Sequence, residues 1–144
     1  RDLAAIVSDM CIHFRSGNQH AVQKSAYSVA LRSRNQHLIK AMQVMNDNLE
    51  EPMSILEISE HVGISRRQLE RLFVKNLGTS PVQFYIESRI SRAHALLNET
   101  KMSVAEISAA TGFNSATQMS QRFRLRYGTS PSAFRKSWAQ GDDR

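Results

Sequence analysis

One passage occurs twice in this chain, and the duplication limits the possible folds more than any other feature. MSILEISEHVGIS begins at Met53 and MSVAEISAATGFN at Met102, an offset of 49 residues. Past the glycine the offset becomes 50, which pairs Gln68 with Gln118, Leu69 with Met119, Phe73 with Phe123 and Gly78 with Gly128. LGTSPVQF at Leu77 is answered in the same way by YGTSPSAF at Tyr127. Self-similarity over this length means one structural unit used twice, with one residue added at the turn of the second copy.

Each copy opens on a helix start. Ser54 with Glu57, and Ser103 with Glu106, have the S-x-x-E spacing at which hydroxyl and carboxylate satisfy each other's orphaned backbone amides. Ile55, Ile58 and Val62 then follow at i, i+3 and i+7, as do Val104, Ile107 and Thr111, predicting one buried stripe per helix. Gly63 and Gly112 suit the left-handed residue that ends a helix. Ser65 with Gln68 and Ser115 with Gln118 start a second helix a few residues later, so each copy is predicted to be a helix-turn-helix. In the first copy Leu69, Leu72 and Phe73 turn inward, leaving Arg66, Arg67, Glu70 and Arg71 outward. In the second, Ala116, Met119 and Phe123 turn inward and Thr117, Gln118, Gln121 and Arg124 outward. Arg and Gln have the length and donor geometry to reach base edges in a major groove. Gln118 answers to two descriptions, as capping residue and as reader.

The repeated Gly-Thr-Ser-Pro is a helix stop followed by a helix start. Gly78 and Gly128 end one helix, Thr79-Ser80 and Thr129-Ser130 cap the next, and Pro81 and Pro131 occupy a first turn where the missing N–H costs nothing. Amides at such a helix start also suit a phosphate, so these hydroxyl residues are read both as caps and as DNA-backbone contacts. Between the copies, residues 81–99 place Phe84, Ile90, Ala93 and Leu97 on an apolar stripe without interior Gly or Pro, predicting one connecting helix of about 27 Å. Upstream, NQHLIKAMQVMNDNL predicts a helix with Leu38, Met42 and Met45 inward, and the Ser- and Arg-rich stretch from Ser25 to Asn35 reads as a linker.

Charge narrows the partner. Of 19 Lys and Arg against 13 Asp and Glu in 144 residues, residues 52–138 hold 12 basic and 6 acidic side chains, so the surplus lies in the repeats. Such a surplus favours polyanions such as nucleic acid. No stretch approaches the roughly 18 to 20 apolar residues of a membrane span. Without a signal peptide or an initiator Met, the chain is expected to be a piece of a longer cytoplasmic protein. Cys11 has no second cysteine to pair with and is expected to be a structural thiol. His13, His20, His37, His61 and His94 are scattered without metal-ligand spacing, and there is no Gly-rich phosphate loop. The chain is therefore expected to be no enzyme, with no catalytic residue, metal or cofactor. Two readings remain: a DNA-binding regulator, and, as the alternative, a helical protein-interaction module whose basic face takes an acidic protein.

From residue 35 to 138 the chain resembles the AraC/XylS family of bacterial transcription regulators, on the ordered set SILEISEHVGISRRQLERLF, LGTSPVQFYIESRISRAHALL, MSVAEISAATGFNSATQMSQRFRLRYGTSP and AFRKSW. The resemblance implies an all-α fold of two helix-turn-helix units, at about 53–76 and 102–127, joined by a linker helix. It further implies that the two recognition helices enter successive major grooves of double-stranded DNA. Carried over by position, base reading falls on Arg67, Glu70 and Arg71, and on Ala116, Thr117, Gln118, Ser120 and Gln121. Backbone contact is expected at Ser65, Arg66, Lys75, Thr79, Ser80, Arg89, Arg92, Ser115, Arg122, Arg124, Thr129 and Ser130. RNA polymerase is an implied partner, and an effector, if one exists, would bind an N-terminal domain outside this chain. Within residues 1–34, LAAIVSDMCIH and the polar RSGNQHAVQK resemble the last helix and exit linker of a class I amidotransferase-like sensor domain. Residues 139–144 are read as a tail.

Overall fold

The computed structural model describes residues 26–29 and 35–142, with side chains to residue 137. The readings made for Cys11 and for the sensor-like stretch lie outside the described residues. Among the described residues from 35 on, the helices follow in order: α1 Gln36–Asp47, α2 Ile55–Val62, α3 Arg66–Leu77, α4 Pro81–Glu99, α5 Val104–Ala110, α6 Ala116–Tyr127 and α7 Pro131–Asp142. No strand occurs among the described residues. The chain divides into two compact units, with the boundary inside α4 between Ser88 and Arg89.

The first unit forms around α1, which Asn35 starts by accepting from the Leu38 amide at 3.1 Å. Leu38, Ile39, Ala41, Met42, Val44 and Met45 are all buried, a broader face than the sequence stripe predicted. Against it pack α2 and α3, which bury Ile58, Val62, Leu69 and Phe73. The start of α4 adds Phe84, whose ring meets Phe73 edge-on at 5.5 Å between centroids. Removing an aromatic ring from water contributes about 1.5 to 3 kcal/mol, so this pair is a main source of cohesion here. Tyr85 beside it pins the α1–α2 loop: its hydroxyl donates to the Asn48 carbonyl and accepts from the Met53 amide.

One expectation is corrected in this unit. Residues 26–29, inside the stretch read as a linker, are helical and bury Ala26 and Tyr27. Serine and arginine dominated that reading, but a phenol ring gains more from burial than from remaining in a solvated linker. Burial first, and the nearby Asp47 carboxylate second, push the Tyr27 phenol up to about 12.

The second unit has its own core of Ile90, Ala93 and Leu97 from α4, Ile107 from α5, Phe113, and Met119 and Phe123 from α6, with Tyr127 and Phe134 packed against it. Arg135 closes it. Its guanidinium donates to the carbonyls of Leu97, Thr100 and Met102, at and just beyond the C-terminal end of α4, where the last helical carbonyls lack intrahelical partners. His94 is enclosed among the rings of Phe123, Tyr127 and Phe134, with centroids 4.4 to 5.9 Å away.

Enclosure has a consequence for His94. Desolvation first, and the positive charge of Arg126 second, lower its pKa from 6.5 to about 4. The unfolded chain takes up this proton at a higher pH than the folded chain, so folding stability declines as pH falls through that window. We expect the loss from this group to be at most about 3 kcal/mol. His94→Gln should flatten urea-unfolding stability over this range, while leaving the acid losses from Glu57 and Glu106, whose carboxylates are held low by hydrogen bonds at Ser54 and Ser103.

Candidate nucleic-acid interface

The first helix-turn-helix is punctuated by reciprocal caps. The Ser54 hydroxyl accepts from the Glu57 amide at 3.1 Å and the Glu57 carboxylate from the Ser54 amide at 2.9 Å. After Gly63, whose φ of 93° only glycine adopts without strain, Ser65 and Gln68 repeat the exchange at the start of α3. Each such cap contributes about 1 kcal/mol and sets the residue at which the helix begins. With Leu69 and Phe73 fully buried, the rotation of α3 about its axis is set. Arg66, Arg67, Arg71 and Lys75 are then exposed, Glu70 is partly exposed, and Leu72 is only partly covered. Arg66 Nε lies 3.7 Å from a Glu70 carboxylate oxygen, an exposed i, i+4 pair worth about 0.3 to 0.5 kcal/mol and readily exchanged for another partner. Arg67, Glu70, Arg71, Val74 and Lys75 line one concavity of about 410 Å³.

The second helix-turn-helix differs because of its added residue. Ser103 and Glu106 form the same reciprocal cap. However, α5 ends at Ala110 with Thr111 as its cap, whose hydroxyl donates to the Ile107 carbonyl at 2.7 Å, and Gly112, Phe113 and Asn114 precede the next cap. Ser115 accepts from the Gln118 amide as expected, but the Gln118 side-chain oxygen reaches one residue further back, to the Asn114 amide at 2.9 Å. The expected reciprocal box at Ser115 is thus shifted by the insertion. Gln118 keeps its side-chain NH₂ as the donor for any outside partner. Met119 and Phe123 are fully buried, Thr117, Gln121, Arg122 and Arg124 are exposed, and Ala116 and Ser120 are partly so. Helix α6 carries no acidic residue, and Arg124 and Arg126 in its last turn suit the negative end of the helix dipole.

The repeated Gly-Thr-Ser-Pro does the same work twice. Gly78 and Gly128 close α3 and α6 at φ 71° and 78°. Ser80 accepts from the Gln83 amide and Ser130 from the Ala133 amide, both at 3.1 Å. Capping uses an oxygen lone pair, so each hydroxyl retains its proton for donation. Thr79 and Thr129 are partly buried beside them.

Arg89, expected as a DNA-backbone contact, has partners within the chain. Its guanidinium donates to the Gly112 carbonyl at 2.9 Å and lies 4.7 Å from the Phe113 ring centroid, so α4 grips the turn that precedes α6. A planar cation that meets a carbonyl and a ring together is better placed there than in water. Arg92, one turn on, is exposed. The roles of Arg89, Arg135 and Tyr85 escaped sequence reading, since their partners lie 23 to 38 residues away along the chain. Among the described residues no cluster of His, Cys, Asp or Glu could hold a metal ion, and no helix is long and apolar enough to cross a membrane.

The comparisons with known proteins agree with this geometry. A family model described as a helix-turn-helix domain matches residues 58–137. HTH-type transcriptional regulator GbdR of Pseudomonas aeruginosa is 37% identical over 131 residues, covering 91% of this chain and 36% of GbdR. ArgR of the same species is 36% identical over 132 residues, covering 90% of this chain and 40% of ArgR. The chain thus spans less than half the length of these curated relatives. A transcriptional regulator of Chromobacterium violaceum with an AraC-type DNA-binding domain superposes with TM-score 0.71 at 40% identity, over 76% of this chain and 97% of that one. The DNA-binding domain of AdpA, solved with a target DNA, superposes with TM-score 0.69 at 28% identity, over 72% of this chain and 94% of that one.

Arg89→Ala should lower unfolding free energy by about 2 kcal/mol in denaturant titrations, combining a charged hydrogen bond and a cation–π contact. The slope of log K against log salt for DNA binding should stay unchanged, because a lost phosphate contact would reduce its magnitude by nearly one. Two helix-turn-helix units with serine-capped helices, matched in sequence and in fold by such domains, make this chain a member of the AraC-type helix-turn-helix transcriptional regulators.

Proposed function

We propose that this protein regulates transcription in the bacterial cytoplasm by binding a specific site on double-stranded DNA, with α3 and α6 as its reading helices. The observation that carries the reading is the pair of outward faces set by the buried stripes: Arg67, Glu70 and Arg71 on one, and Thr117, Ser120 and Gln121 on the other. Arg recognises guanine O6 and N7, and Gln recognises adenine N6 and N7. Ala116 and Gln118, at the start of α6, join the second set, Ala116 through apolar contact and Gln118 through its NH₂ group. Phosphates are the partners of Ser65, Arg66, Lys75, Thr79, Ser80, Arg92, Ser115, Arg122, Arg124, Thr129 and Ser130. Helix α4, 19 uninterrupted residues between the two faces, supports a site of two unlike half-sites in successive major grooves, about one helical turn apart. RNA polymerase is the protein partner of such a regulator, and any effector binds outside this chain.

Selection from a random duplex pool, followed by binding titrations, tests the reading. Arg67→Ala or Arg71→Ala should cost about 1 to 3 kcal/mol on the selected site and relax preference at one base pair, whereas Arg92→Ala should weaken all sequences alike. Inserting about five base pairs, half a turn, between the half-sites should abolish joint engagement. Even loss across the pool for both Arg67→Ala and Arg71→Ala would contradict α3 as a reading helix. Binding without any sequence preference would favour an adaptor for acidic proteins.

A further inference from the structure

We infer that Val74 is a specificity-determining residue that meets the C5-methyl group of one thymine in the half-site read by α3. The inference rests on the DNA-reading role proposed for that helix. Val74 is 57% exposed, on the face opposite the buried Leu69 and Phe73. It lies seven residues after Arg67, four after Glu70 and three after Arg71, and lines the same concavity with them. Positions i, i+3, i+4 and i+7 form one stripe of a helix, the pattern by which a single helix reads a major groove in other folds.

The chemistry of the side chain selects the partner. The Val74 side chain can neither donate nor accept a hydrogen bond, and its concavity is otherwise lined by charged groups. The one apolar feature that the four bases display in the major groove is the thymine methyl. A β-branched side chain in a helix has essentially one χ1 rotamer, so it presents its methyl groups with little ordering cost. Seven residues of helix advance about 10.5 Å, which places the thymine within about three base pairs, at about 3.4 Å each, of the pair read by Arg67. At the offset of the repeat, Val74 corresponds to Arg124, so this contact belongs to one half-site and adds to the difference between them.

Uracil differs from thymine only by lacking that methyl, which allows a double substitution across the contact. Duplexes carrying the selected site, with each thymine replaced singly by uracil, are titrated with the 144-residue chain and with Val74→Ala. One replacement, within about three base pairs of the position where Arg67→Ala relaxes preference, should weaken the unsubstituted protein about three- to fivefold, the scale of one buried methyl group. Val74→Ala, with an unchanged circular dichroism spectrum, should bind the thymine and uracil duplexes equally at that position. Uracil replacement that is neutral throughout, or a thymine preference that survives in Val74→Ala, would overturn the role of Val74 while Arg67→Ala still lost affinity. Indifference of the selected duplex to Arg67→Ala and Arg71→Ala would instead remove the reading role of α3, and this inference with it.

Discussion

Two pairs of buried side chains decide what this molecule shows to its surroundings. Leu69 and Phe73 on α3, and Met119 and Phe123 on α6, are fully withdrawn from water and stand four residues apart. A helix pinned at two points one turn apart cannot rotate about its axis without exposing one of them, at a cost of about 1.5 to 3 kcal/mol for each large apolar side chain. Every outward position follows from that restraint. Arg67 and Arg71 share a stripe because Leu69 and Phe73 share the opposite one, and Thr117 and Gln121 stand in the same relation to Met119 and Phe123.

Backbone termini are the second demand, and local and distant groups meet it differently. Helix starts are capped from within three or four residues, at Ser54, Ser65, Ser80, Ser103, Ser115 and Ser130. The end of α4 and the turn before α6 are satisfied by guanidinium groups arriving from elsewhere, Arg135 and Arg89. A planar cation with several fixed donors can collect carbonyls that point in different directions, as Arg135 does at Leu97, Thr100 and Met102. In a chain with surplus positive charge, two arginines are thereby structural, and net charge overstates what is available to a polyanion.

The two copies are similar units with different chemistry. One added residue in the second turn moves the Gln118 oxygen from the cap position to the Asn114 amide, whereas Gln68 completes its reciprocal box. The outward faces differ as well, cationic on α3 and largely neutral at Thr117, Ser120 and Gln121 on α6. A duplicated scaffold with divergent outward residues keeps one packing solution while presenting two different surfaces.

Helix starts, helix ends and inward stripes were legible in the sequence because each depends on partners within one or two turns: a serine three residues before a Glu or Gln, a glycine after the last turn, apolar residues at helical spacing. The outward faces were legible for the same reason, as the complements of those stripes. Arg89 and Arg92 read identically as exposed cations on a connecting helix, and only packing against Phe113 and Gly112 separated them. Tyr27 read as part of a polar linker until its burial was visible. His94 read as one of five scattered histidines until three aromatic rings closed around it. The sequence by itself therefore determined the helix starts within the two copies, the duplication and the identity of the candidate reading helices. Tertiary structure alone decided which cations are committed to carbonyls and which titratable groups are desolvated, because both depend on distances between residues that the chain keeps far apart.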